Sequence, residues 1–186
     1  MTNSNKAITK LDQKLSEFQF ENDTNIYIIC SMPLSDMGKG TTVAHMLSFL
    51  EDSNAIKFDG LFNTNATGRH TATGHDDFGI YEKYNPKLKF SEEHYILGGD
   101  LFREFIDKYG EYENLCFRPH IAKHFIAKIG QMWQNIGKPK NLILEIGGTI
   151  IDYEVDPYVP FAISYYKQKY GEKCKIILLT EMSYNN

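Results

Sequence analysis

Lys39 stands between two glycines in SMPLSDMGKGTT, residues 31–42. The apolar run Asn25–Cys30 precedes this stretch, and VAHMLSFL, with helical spacing, follows it. Strand, loop of small residues and helix, in that order, make the front end of a phosphate-binding α/β unit. The chemistry follows from the backbone. A helix start carries unpartnered N–H groups and partial positive charge, which a triphosphate complements. Gly38 and Gly40 leave the backbone open to phosphate, and Lys39 reaches the outer phosphates. The hydroxyl of Thr41 or Thr42 can face a magnesium ion. Pro33 occupies the place where the usual motif has its first glycine. The bland alternative is a loop before an ordinary helix start, and the flanking strand and helix favour nucleotide binding over it.

Other residues that could act chemically sit just after expected strands, where open α/β sheets bind their ligands. Glu145 interrupts the apolar strand LILEIGG, and a carboxylate there is costly unless paired or bound to metal, so a magnesium ligand is favoured over a structural ion pair. Lys57, in AIKFD, either contacts phosphate and stabilises developing charge or is a strand-edge lysine in solvent. Asp59, Arg118, His120, Thr149, Asp152 and Glu154 would join them on one rim. His120 reads more simply as a helix-start residue. His70, His75, Asp76 and Asp77 have no zinc-ligand spacing and fit a loop ordered by substrate and magnesium.

The elements that must position these groups alternate. Ile8, Leu11, Leu15 and Phe18 fall near one face of a short N-terminal helix within residues 1–24, a leader to the domain at 25–186. Strands are expected at Asn25–Cys30, Ala55–Phe58, Leu115–Phe117, Asn141–Ile146 and through KCKIILLTE. A long polar loop spans Asp59–Gly79. Pro86 argues against a regular helix across Ile80–Phe90. Helices follow Gly98 and Gly99, run through HIAKHFIAKIGQMW, and run through PFAISYYKQKYG to near Gly171. The pattern is an α/β fold with a mainly parallel sheet flanked by helices, a P-loop NTPase-like, Rossmann-like three-layer arrangement.

Composition sets outer limits. The 186 residues suffice for one domain with a real core, and the net charge of −4 does not favour nucleic acid. No apolar run is long enough to cross a bilayer, and the N-terminus lacks the apolar core of a secretion signal. Cys30, Cys116 and Cys174 show no metal-ligand spacing. Cys30 and Cys116 read as buried packing residues, and a reducing cytoplasm fits best.

Taken together, SDMGKGT, KFDGLFN, GIYEKY with LGGDLFREF and YGEY, RPHIAKHFIAKI and LEIGGTIIDYEVDPYVPFAI resemble, in order, the N-terminal synthetase (amidoligase) domain of CTP synthase. The resemblance spans about residues 27–179, and its last block is the most specific. It implies ATP and Mg2+ as cofactors and UTP or CTP as further ligands. Asp36, Met37, Gly38, Lys39, Gly40 and Thr41 fall on the ATP loop, and Ser35 falls where the pyrimidine nucleotide binds. Asp152, Tyr153 and Glu154 fall on the part that contacts CTP. Glu145 falls on a magnesium ligand, and Lys39 and Lys57 on lysines beside the reacting phosphates. Asp76 or Asp77 would supply the second metal carboxylate. The family reaction phosphorylates UTP at its 4-oxygen with ATP, and ammonia then displaces the phosphate.

The sequence departs from the family in its loop, where Asp36 sits beside the phosphates, and in a shorter stretch between Asn63 and Asp77. It also ends at Asn186, before the family's further UTP-binding segment and glutaminase domain, so a domain incomplete at its C-terminus is expected. The expected function is an amidoligase-type nucleotide-binding protein, forming homo-oligomers or assembling with a full-length synthase. The alternatives are a non-catalytic or regulatory relative, or a P-loop ligase of the dethiobiotin-synthetase kind, which would lack the EIGGT block.

Overall fold

A computed structural model describes residues 3–34, 36–61, 76–112, 115–152 and 155–181, without the side chains of residues 3–7 and Asp76. In chain order the elements are α1 (Asn3–Glu17), β1 (Asn25–Met32), α2 (Lys39–Phe49), β2 (Ser53–Asp59), α3 (Asp76–Tyr84), β3 (Tyr95–Leu97), α4 (Gly98–Tyr109), α5 (Phe117–Asn135), β4 (Asn141–Ile146), α6 (Val159–Tyr170) and β5 (Cys174–Thr180). The strands form a sheet of order β3-β2-β4-β1-β5, and every neighbouring pair is parallel. This is the expected α/β three-layer architecture.

Side chains alternate across a strand, so each strand feeds two cores. Ile26, Ile28 and Cys30 of β1, Ile56 and Phe58 of β2, and Leu142, Leu144 and Ile146 of β4 join the larger core with α1, α4, α5 and α6. Ile29, Ala55 and Ile143 join the second core with Val43 and Leu47 of α2 and Phe78 and Tyr81 of α3. By the same alternation Lys57 and Glu145 fall on the α2–α3 side of the sheet.

The structure corrects several expectations. Leu115–Phe117 is not a strand, because Phe117 opens α5. Pro119 then falls in the first helical turn, where its missing N–H costs nothing. The remaining strand is instead Tyr95–Leu97, three residues beside β2 of which Ile96 and Leu97 are buried. Gly98 and Gly99 form the first turn of α4 rather than preceding it, and the Gly99 N–H donates to Leu61 O at 2.8 Å. The polar stretch after Asp59 ends earlier than expected, since α3 begins at Asp76; it stops at Tyr84, before Pro86. Cys116 is exposed, whereas Cys30 and Cys174 are buried. The N-terminal helix is as long as a typical domain helix, with Leu11 fully buried against the larger core.

Candidate functional site

The loop before α2 turns on Gly38, whose φ of 81° lies in the left-handed region that glycine adopts without steric cost. From there Lys39 begins the helix, and its ammonium folds back over the end of β1. Nζ donates to Ser31 Oγ and to Gly148 O, each at 2.8 Å. The residues after β4 close onto the same place, with the Ile150 N–H donating to Ser31 O at 3.1 Å and Thr149 N–H donating to Asp152 Oδ2 at 2.6 Å. The phosphate-type loop and the EIGGT segment are therefore one unit. Thr42 Oγ1 donates to Gly38 O at 3.0 Å and turns back on its own helix. Among the described residues, Thr41 is the serine or threonine that lines the cavity.

Register brings the second group of residues together. Lys57 of β2 and Glu145 of β4 are direct neighbours across the sheet, and Tyr95 flanks Lys57 on its other side. Lys57 Nζ lies 3.4 Å from Glu145 Oε1 and donates to Asp77 Oδ2 of α3. Tyr81, one turn further along α3, donates its hydroxyl to Glu145 Oε2. Asp59, at the end of β2, accepts from Tyr95 Oη at 3.0 Å. A Cβ at Gly40 would overlap the Asp77 carboxylate, so this glycine makes room for α3 as well as for a phosphate.

Burial sets the electrostatics. It pushes the Glu145 carboxyl up to about 7, with Lys57 opposing and Asp77 and Asp59 adding to the rise. Burial works against the charge of Lys57 too, but Glu145, Asp59 and Asp77 outweigh it and hold its pKa above the ordinary value. Lys39 is pulled down by burial, against the opposing pull of Glu145.

These side chains line a cavity of about 710 Å³ at the carboxyl edge of the sheet, with Asp36, Gly38, Lys39, Gly40, Thr41, Lys57, Asp59, Asp77, Glu145 and Asp152 in its wall. That volume is in the range of small-molecule and cofactor pockets. The acids in the wall outnumber Lys39 and Lys57, so a triphosphate entering it would need added cations. Asp77 and Glu145, which share the Lys57 ammonium, could offer hard oxygen donors to such a cation. Among the described residues no cluster of three or more His, Cys, Asp and Glu could hold a metal alone.

The structure thus brings together Lys39, Lys57, Glu145, Asp77 and Asp152. Ser35, Tyr153, Glu154, His70 and His75 lie outside the described residues, as does the side chain of Asp76. Two expected rim residues are elsewhere. Arg118 pairs with Asp156, and His120 is a helix-start residue whose Nδ1 accepts from Cys116 N–H at 2.8 Å. Ser31, Tyr81 and Tyr95 are site partners that sequence reasoning did not single out. Tyr81 was visible in principle, four residues after Asp77, once DDFGIYEKY is read as a helix.

Comparison with known proteins gives the family of the chain. A CTP synthase from Caldivirga maquilingensis is 28% identical to the chain, over 69% of the chain and 27% of that protein's own length. Among the described residues no helix is long and apolar enough to cross a membrane. The sequence profile of the CTP synthase N-terminus matches residues 26–186, nearly the whole of the chain, which therefore belongs to the CTP synthase N-terminal family.

Proposed function

We propose that this chain binds ATP with magnesium in the cavity at the carboxyl edge of the sheet, takes UTP beside it, and carries the synthetase half of a CTP-synthase-type reaction. In that reaction the γ-phosphoryl group of ATP passes to the 4-oxygen of UTP as N3 gives up its proton, releasing ADP. Ammonia then attacks C4, phosphate leaves, and the added nitrogen loses a proton. The observation that carries the reading is that Lys39, Lys57, Asp77 and Glu145, from α2, β2, α3 and β4, all line one cavity.

The roles follow from placement. The start of α2 and Lys39 would cradle the outer phosphates. Lys57 would sit beside the transferring phosphoryl group and offset its charge. Asp77 and Glu145 would hold magnesium, which neutralises phosphate charge and fixes the reacting oxygens in line. Asp152, held by Thr149, would face the pyrimidine nucleotide together with Ser35, Tyr153 and Glu154. Positioning and charge neutralisation then supply most of the rate.

A ligand that binds only the folded state at about a hundred times its Kd stabilises by about 2.7 kcal/mol. Millimolar ATP with magnesium should therefore raise Tm by several degrees, and Lys39→Ala should remove the rise. No shift for the unaltered protein would overturn the reading. A non-catalytic role, as a regulator assembling with a complete synthase, has one observation in its favour: Asp36 lines the same cavity and brings a carboxylate to the phosphate loop. An assay with UTP, ATP–magnesium and free ammonia separates the two, because a binding-only protein shows the Tm shift without forming CTP.

A further inference from the structure

Tyr81 is fully buried, and its ring packs at 5.7 Å from Phe78 and 5.2 Å from Phe90, centroid to centroid. A tyrosine in such an aromatic cluster could as well be phenylalanine if packing were its whole role. Its hydroxyl, however, donates to Glu145 Oε2, while the other oxygen of that carboxylate faces Lys57 Nζ at 3.4 Å. Glu145 is itself 2% exposed, so neither oxygen has bulk water to orient it. One oxygen is fixed by Tyr81, and the other is directed to the place where Lys57 meets Asp77. Carboxylates that bind metals are commonly held in this way by a second partner, which sets the angle of the ligating oxygen.

We propose that Tyr81 is a positioning residue for Glu145: its hydroxyl occupies Oε2 and keeps Oε1 turned into the cavity, where the magnesium of a bound nucleotide would meet it. This rests on the ATP–magnesium reading above. Asp77 and Tyr81 lie one turn apart on α3. The seating of that helix therefore supplies one metal carboxylate and sets the direction of the other, so both are lost or gained together.

The test is to titrate magnesium at fixed ATP by calorimetry, using the unaltered protein, Tyr81→Phe and Phe90→Leu, and to measure ATP binding by each in excess EDTA. Removing a partner that orients a ligand weakens metal binding by about 10–100-fold. Tyr81→Phe should therefore raise the magnesium concentration at half-saturation at least about tenfold. Its metal-free ATP binding should match that of the unaltered protein. Phe90→Leu, which loosens the same cluster without touching Glu145, should lower Tm and leave the magnesium midpoint in place. An unchanged midpoint in Tyr81→Phe, or an equal shift in Phe90→Leu, overturns the proposal. A protein that binds ATP with no dependence on magnesium overturns the positioning role and the metal assignment together. One that binds no ATP at all overturns the reading beneath them.

Discussion

Glu145 shows most directly how one side chain can cost stability while making a site. It is 2% exposed, burial pushes its pKa up to about 7, Lys57 opposes that rise, and the Tyr81 hydroxyl donates to it. A buried ion pair is weak evidence for stability, since desolvation consumes much of the Coulombic gain. Glu145→Gln keeps the shape and the capacity to accept from Tyr81 while removing the charge. Lys57 retains Asp77 as its partner. The expected outcome is a Tm equal to or above that of the unaltered protein, with magnesium-dependent ATP binding abolished. Thermal melts and calorimetry on the same sample check it, and a Tm loss of more than about 3 kcal/mol equivalent would mean that the ion pair is structural first. The carboxylate was legible in the sequence, because a charge in an otherwise apolar strand calls for a partner; Lys57 read equally as a strand-edge lysine, and only the register beside Glu145 decides between the two. Tyr81 becomes legible only once DDFGIYEKY is read as a helix, because an aromatic in a mixed polar segment has no unpaired chemistry to advertise.

At the scale of elements, the long, strongly periodic pieces were readable and the short ones were not. β1, β4 and β5 are apolar runs bounded by turns, and α5 repeats its apolar residues at helical spacing. Leu115–Phe117 and Tyr95–Leu97 are equally short apolar triplets, and propensity cannot rank them. What separates them is tertiary: Tyr95–Leu97 lies in register with Lys57–Asp59, whereas Arg118 and Pro119 fit the first turn of a helix. The pairing of α4 with α5 carries its own consequence. His124 of α5 is buried beside the rings of Phe105 and Tyr109, and neither of its ring nitrogens has a hydrogen-bond partner among the described residues. Burial holds its pKa down at about 4, with Lys108, Lys14 and Lys128 lowering it further and Glu104 opposing. Burial also works against the charge of Glu104, but Lys108 and Lys128 outweigh it and hold that carboxyl at about 2. Both shifts act in the same direction. As pH falls from about 6.5 to about 4 the unfolded chain protonates His124 while the folded chain does not, so stability falls. From about 4.5 down to about 2 the Glu104 contribution is lost in turn. A series of melts should therefore show Tm declining through the first window. His124→Phe should flatten the curve there, and should also soften the decline at lower pH, because the His124 charge helps to hold the Glu104 carboxyl down. An unchanged slope in the variant would place the acid sensitivity elsewhere.

For the whole molecule, the two edges of the sheet differ in kind. β3 is three residues long and mostly buried, so it offers little to pair with. β5 is seven residues long, is hydrogen-bonded among the described residues to β1 alone, and carries neither proline nor an acid. Its apolar side chains face both ways: Ile177 and Leu179 lie against the α2–α3 core, while Ile176 and Leu178 are 40% and 44% exposed. A long apolar edge with unpaired backbone groups is a template for another strand, and proteins usually blunt such edges with charge. Lys175 is the charge on this strand, at its start. The chain studied alone should therefore associate through β5 as its concentration rises. Ile176→Lys with Leu178→Lys should shift sedimentation toward the monomer. Both side chains are already partly in water, so the stability change should stay within about 1 kcal/mol. The cavity lies at the carboxyl ends of the strands rather than along the edge, so ATP–magnesium binding should be unchanged in the double variant. Equal association before and after the substitutions would show that β5 is not the sticking surface, and loss of nucleotide binding would show that the edge and the site are coupled through β1.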